Sequence, residues 1–161
     1  MALNSNNVMA ANDAPVAKYA EVFVTIKGQR YSMMMCKNFE GKASVTTQDV
    51  PRMGSLLVGK KATAVEISFT MTIYKCTEIF DDVIDEFIRT GQMPLFDIQV
   101  SNDDPNMQAI GRSTKIFTDC LLDGDVLLAM AGSEDDFIEQ EISGFAADYT
   151  RPEKFTNPAY M

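Results

Sequence analysis

The side chains best equipped for chemistry in this chain are carboxylates. They gather as Asp81, Asp82, Asp85 and Glu86, as Asp103 and Asp104, as Asp123 and Asp125, and as Glu134, Asp135 and Asp136. Paired carboxylates can work as general acid and base. Asp123-Gly-Asp125 offers oxygen ligands of the kind calcium takes, but the remaining positions of a calcium loop do not follow it. The first group falls on the outer face of a predicted helix and the others in predicted turns, with no second constellation to work with. Histidine is absent, which removes the commonest general base and excludes Ser-His-Asp and Cys-His machinery. Cys36, Cys76 and Cys120 are odd in number and far apart, the pattern of reduced thiols and not of a disulfide framework or zinc site. Gly28, Gly54 and Gly59 lack the spacing of a phosphate loop. No catalytic residue, metal or cofactor is expected, and a carboxylate enzyme is supported by the acid count alone.

The elements that would position these residues are mostly strands. In 161 residues, 46% of them apolar, one domain with one core is expected. Glu21 to Lys27 alternates, with Val22, Val24 and Ile26 on one face, and Lys27-Gly28-Gln29 reads as a tight turn. From Met33 to Thr46 the alternation returns. Cys36, Asn38, Glu40, Lys42 and Ser44 share one face, and Phe39, Ala43 and Val45 the other. The clearest strand is Thr63 to Tyr74, with Val65, Ile67, Phe69, Met71 and Ile73 opposed to Glu66, Ser68, Thr70, Thr72 and Tyr74. Such a strand packs one face and wets the other.

One helix is predicted over residues 78–90. Thr77 is placed to cap it, Asp81 and Asp82 sit in the first turn, and Gly91 ends it. Ile79, Phe80, Val83, Ile84, Phe87 and Ile88 recur at helical spacing and are expected to pack on a sheet. Strands resume at Pro94–Ser101 and Thr114–Leu122. A hairpin of Val126–Ala131 and Phe137–Ala147 is expected to follow, turning through Gly132–Asp136. Three strands, a helix and four strands make a mainly β fold: an antiparallel β-sandwich or barrel with one flanking α-helix. Residues 1–18 are expected to form a flexible arm, 19–149 the β domain, and 150–161 a C-terminal arm.

Two features invite a partner. The predicted loop 47–61 is long for a compact domain and carries Val50, Met53, Leu56, Leu57 and Val58, more apolar surface than a solvated loop should hold. The charge is also uneven: residues 1–61 balance at +4 and residues 62–161 at −13, for a net −9. A basic part and an acidic part in one chain suit head-to-tail contact between copies, while the net acidity disfavours nucleic-acid binding. No apolar run is long enough to span a bilayer and the first residues do not read as a signal peptide, so a soluble protein held in the cell until assembly is expected, with no membrane partner. The wet face of the long strands offers Asn38, Glu40, Lys42, Ser44, Glu66, Ser68, Thr70 and Thr72, which any half-exposed sheet can carry and which a water-filled barrel lumen needs.

The stretch from about Glu21 to Phe155 resembles the tail tube (tail core) proteins of contractile phage tails and PBSX-like prophage particles. The resemblance lies in Gly59-Lys60-Lys61-Ala62-Thr63 leading into the long strand with its Tyr74, in the helix ending Arg89-Thr90-Gly91, in Phe96-Asp97-Ile98-Gln99-Val100, and in Glu139-Gln140-Glu141 through Phe145 to Phe155. The N-terminal arm is outside it. The resemblance implies a subunit of hexameric rings that stack into a tube inside a contractile sheath. Each subunit would lend four strands to one continuous barrel, with the helix outside and the long loop bridging copies. About 24 strands at this spacing and a usual tilt give a backbone circle about 50 Å across and a bore of about 40 Å, wide enough for duplex DNA to pass without specific binding. The implied partners are further copies, sheath, baseplate and tail terminator proteins. The implied location is a virion tail or bacteriocin particle, after assembly in the host cytoplasm. A bacteriocin, type VI or other contractile injection device would use the same subunit. A monomeric ligand-binding β-barrel is the alternative of a different class.

Overall fold

The computed structural model describes residues 9–158. Its strands are β1 (Ala20–Ile26), β2 (Gln29–Ser32), β3 (Cys36–Val50), β4 (Gly59–Tyr74), β5 (Phe96–Asn102), β6 (Ser113–Leu122) and β7 (Glu139–Glu153), with one helix, α1 (Ile79–Thr90), after β4. They form an antiparallel seven-stranded sheet of order β2-β1-β5-β6-β7-β4-β3. The mainly β class with one helix holds. The chain divides into two compact units.

The first unit takes the chain up to Met34, then Pro94–Asp119, then from Asp148 onward. Its centre is the β1–β5 ladder, where Val22, Val24 and Ile26 lie directly across from Val100, Ile98 and Phe96. Opposed residues share a face, so period-two alternation in both strands builds one apolar surface. Val24 and Ile98 are fully buried there, and burying each such side chain contributes about 1.5–3 kcal/mol. β1 and β2 are joined through Lys27 (φ 52°) and Gly28 (φ 79°). Both central residues at positive φ give the two-residue turn whose twist suits a hairpin. The irregular stretch before β6 buries Met107 and Ile110. It is shaped by the Asn106 N–H donating to Asp104 Oδ1 (2.9 Å) and by the Gly111 N–H donating to the Met107 carbonyl (2.9 Å).

The second unit takes Met35–Met93 and Cys120–Ala147. β4 is central to it, paired with β3 on one side and β7 on the other. Phe69, Met71 and Ile73 are buried, as their alternation predicts, with Ile142 beside Met71. Gly41 on β3 and Gly144 on β7 both stand opposite Phe69, and the ring lies where a Gly144 side chain would be. A Cβ on Gly144 would run into the Leu121 carbonyl and the Phe69 ring. α1 ends as predicted, with Gly91 at φ 75° and its N–H on the Phe87 carbonyl at 2.9 Å.

Several boundaries differ from expectation. The run read as Met33–Thr46 starts later and runs further, as β3 from Cys36 to Val50, with β2 a separate strand before Met33. Cys36 pairs with Ile73 and so leaves the polar face, because a register shift inserts Lys37 before Asn38 meets Thr72. The 47–61 loop is shorter, since Thr47 to Val50 pair with Ala62 to Gly59 and leave only residues 51–58 unpaired. Glu78, not Thr77, is the N-cap, and it makes no side-chain capping bond. Val126–Ala131 forms no strand: residues 123–138 are irregular, and β7 begins at Glu139 and runs to Glu153, into the span assigned to the C-terminal arm. Of the predicted N-terminal arm, residues 1–8 lie outside the described residues, and the remainder holds two single 3-10 turns, Ala11–Asp13 and Ala17–Tyr19.

Candidate assembly surfaces

The β3–β4 hairpin supplies the first surface. Beyond the Ala43↔Ile67 pair every residue up to Val58 is exposed, as are Lys60 to Glu66 on the return strand. Val45 and Val65 face each other across the ribbon, still alternating but both exposed. The tip is held locally. Arg52 Nη2 donates to the Leu57 carbonyl (3.2 Å), the Leu57 N–H donates to Ser55 Oγ (3.2 Å), and Lys60 Nζ meets Asp49 Oδ1 at 2.8 Å. Met53 and Leu56 are fully exposed, Leu57 is 76% exposed, and Val50 and Val58 are exposed as well. All five residues singled out in this loop are thus gathered on the outer half of one hairpin.

The second surface is the polar face of the same sheet. Asn38, Glu40, Lys42 and Ser44 pair across the ladder with Thr72, Thr70, Ser68 and Glu66, so all eight predicted lumen candidates stand together as four cross-strand pairs. β7 extends this face in a way sequence reasoning missed. Glu141, Ser143 and Phe145 pair with Thr72, Thr70 and Ser68 on the other side of β4, and Glu139 pairs with Tyr74. The missing signal was the pairing partner: alternation assigns faces within β7 but not which face joins which. Lys42 Nζ lies 3.2 Å from Glu40, and Lys37 Nζ lies 3.1 Å from Glu139. Glu139 holds the Lys37 ammonium above its usual pKa. With Glu40, Glu66, Glu139 and Glu141 against Lys37 and Lys42, the face is acidic by two charges. Exposed pairs of this kind contribute about 0–1 kcal/mol each, so they tune the sign of the surface more than its stability.

The third surface is α1. Phe80 and Val83 are buried, Ile79 and Ile84 half-buried, and Phe87 and Ile88 exposed. The apolar stripe packs over the first two turns and emerges at the last. Lys75 Nζ, nearly buried, fixes the start of the helix through both Asp81 oxygens at 2.9 and 3.1 Å.

The remaining polar chemistry is structural in form. In the first unit Ser101 Oγ and Thr114 Oγ1 lie 3.0 Å apart, Thr114 Oγ1 donates to Glu153 Oε2 (2.8 Å), and Arg112 Nε sits 2.9 Å from the same oxygen. A shallow 340 Å³ recess beside Ser101 and Arg112 is lined also by Lys18, Tyr19, Ala20, Glu21 and Asp103. Among the described residues no three Cys, Asp or Glu side chains converge as metal ligands, and no helix is long and apolar enough to cross a membrane. Burial pushes the Cys36 thiol pKa up, partly offset by a backbone hydrogen bond with Asn38.

Comparison with known proteins gives these surfaces a context. A family model described as "Phage tail tube protein" matches residues 7–153. The Phage-like element PBSX protein XkdM of Bacillus subtilis (strain 168) is 28% identical over 127 residues, covering 78% of this chain and 84% of that protein. Two solved structures share the fold. A chain in the structure of the sheath/tube terminator of the extracellular contractile injection system PVC aligns with TM-score 0.61 and 18% identity, over 87% of this chain and 98% of that one. A chain in the structure of the tube-terminating cap of the anti-feeding prophage aligns with TM-score 0.63 and 14% identity, over 94% and 98%.

Proposed function

The chain belongs to the phage tail tube protein family and is a structural tail tube subunit, and from that premise we propose that six copies close a ring and that rings stack into a conduit within a contractile sheath. The observation that carries this reading is the outer β3–β4 hairpin. An isolated two-stranded ribbon is marginal in water, and this one ends in Met53, Leu56 and Leu57 with nothing of its own chain covering them. Contact with other copies supplies what the ribbon lacks. Residues 9–18 and those after Glu153 serve as arms that bridge subunits.

The polar face of β3, β4 and β7 lines the bore. Its small hydroxyls and its excess of two negative charges suit a channel through which DNA slides, because like charge and the absence of clustered cations leave phosphates nothing to bind. The α1 stripe packs the helix on the sheet, and its exposed end faces away from the bore, toward the sheath. The role is structural and not catalytic: the lack of histidine, and of any three Cys, Asp or Glu side chains converging among the described residues, supports that. Sheath, baseplate and terminator proteins are the partners. A contractile injection device other than a phage would use the same subunit, and the presence of a packaged genome in purified particles separates the two.

Negative-stain microscopy of concentrated protein tests the reading. Rings or rods are expected. Stable monomers at high concentration, with no rings even after sheath or baseplate is added, would contradict it.

A further inference from the structure

Resting on the tube reading, the question is what the hairpin tip meets. From Asp49 to Lys61 the chain carries three cations and one carboxylate, a net +2. A second exposed segment of the same chain has the opposite sign. Residues 123–138 hold five carboxylates and no cation, a net −5, and form neither helix nor strand. This segment also exposes Leu128 (60%), Met130 (51%) and Phe137 (81%), the last held edge-on to Tyr74 at 6.2 Å. Two exposed apolar surfaces of opposite charge, neither covered by its own chain, are complementary. The exposed end of α1 has no such match, carrying Asp85 and Arg89 together.

We infer that the tip of the β3–β4 hairpin docks on the 123–138 segment of a second copy, with Leu56 and Leu57 against Leu128 and Phe137, and with Arg52 and Lys61 facing the Glu134–Asp136 run. The two surfaces differ, so the contact is heterologous, and a heterologous contact propagates into a closed ring or an open stack. The apolar residues supply affinity. The charges guide encounter and set hairpin against hairpin, and segment against segment, as repelling pairs. The irregular backbone of 123–138 is part of the arrangement, since a loop can conform to the incoming tip where a strand in a fixed register cannot.

The test uses the full chain with a photoreactive benzoylphenylalanine at Leu57, assembled from an equal mixture of light and isotope-labelled protein. Mixed-isotope crosslinks from Leu57 into residues 123–138 are expected. Crosslinks within one copy, or to other segments of a second copy while rods still form, overturn this docking and leave the tube reading standing. Absence of both rods and intermolecular crosslinks overturns the two together. Charge reversal gives an independent readout. Arg52→Glu with Lys61→Glu, and separately Glu134→Lys, Asp135→Lys and Asp136→Lys, are each expected to raise the critical concentration for assembly about a hundredfold. Mixing the two variants restores assembly to within about tenfold of the original, because each hairpin then meets a segment of opposite sign. A mixture as poor as its components, with both variants melting like the original chain, overturns the pairing.

Discussion

The two halves of the β3–β4 hairpin share a ladder but have opposite fates. From Ile67 to Tyr74, β4 is flanked on both sides, by β3 and by β7, and Phe69, Met71 and Ile73 are buried. From Gly59 to Glu66 it is flanked by β3 alone, and Val65 is exposed although it continues the same alternation. The change falls where β7 stops pairing, at Ala146↔Ile67. From Val65 to Ile73 side-chain type and period are constant, so the third strand decides whether that apolar face becomes core. Where this chain provides no third strand, the face stays exposed.

The sharpest way to separate the halves is to damage each in turn. Gly144→Val forces a side chain against the Leu121 carbonyl and the Phe69 ring, and a loss of about 3 kcal/mol or more is expected, read by thermal or urea unfolding. Phe69→Ala should cost about 3–5 kcal/mol by the same measurement. In the outer half, Leu56→Asp with Leu57→Asp should shift unfolding by no more than about 0.5 kcal/mol and yet abolish rods. A variant that still polymerises would show that the tip is no interface. Glu66→Lys with Glu141→Lys, on the polar face, should leave assembly intact while making the assembled tubes retain duplex DNA at low salt and release it at high salt. The smallest effect concerns thiols. Cys76 is exposed, Cys120 buried, and Cys36 is half-buried with its pKa raised by burial. Fewer Cys36 thiols are ionised at a given pH, so a thiol reagent near pH 8 should label Cys76 first, Cys36 more slowly, and Cys120 only on unfolding. Equal rates would erase the distinction in burial.

Much of this contrast was legible in the residues. Alternation in Val22–Ile26 and Val65–Ile73 assigned the right faces, and the eight polar candidates of β3 and β4 fell into four cross-strand pairs because each strand kept its own period. The helix stop at Gly91 was legible because a left-handed residue is required there. The start was less so, since Thr77 offers a hydroxyl but Lys75, just before the helix, fixes the first turn by its ion pair with Asp81. Pairing between distant strands is not written in a local period. For that reason a local period leaves Glu139 and Glu141 out of the polar face, cannot show the register shift that turns Cys36 away from it, and cannot show that the four residues Thr47–Val50 pair with Ala62 to Gly59. Val126–Ala131 has the composition of a strand, yet with no partner along it the segment stays irregular. Phe117 and Cys120 are both buried three residues apart on β6, an interval alternation forbids. Asp119 between them takes φ 50°, a local bulge that composition does not announce.

Hydrogen exchange across residues 43–66, compared between dilute subunits and assembled tubes, tests most directly whether the outer hairpin is completed by another copy. Amides there should exchange quickly in the free subunit and become strongly protected in the tube, while those of residues 67–74 stay slow in both. Equal exchange of the outer hairpin in the two states would contradict the account, because its apolar tip would then be solvated in the finished structure.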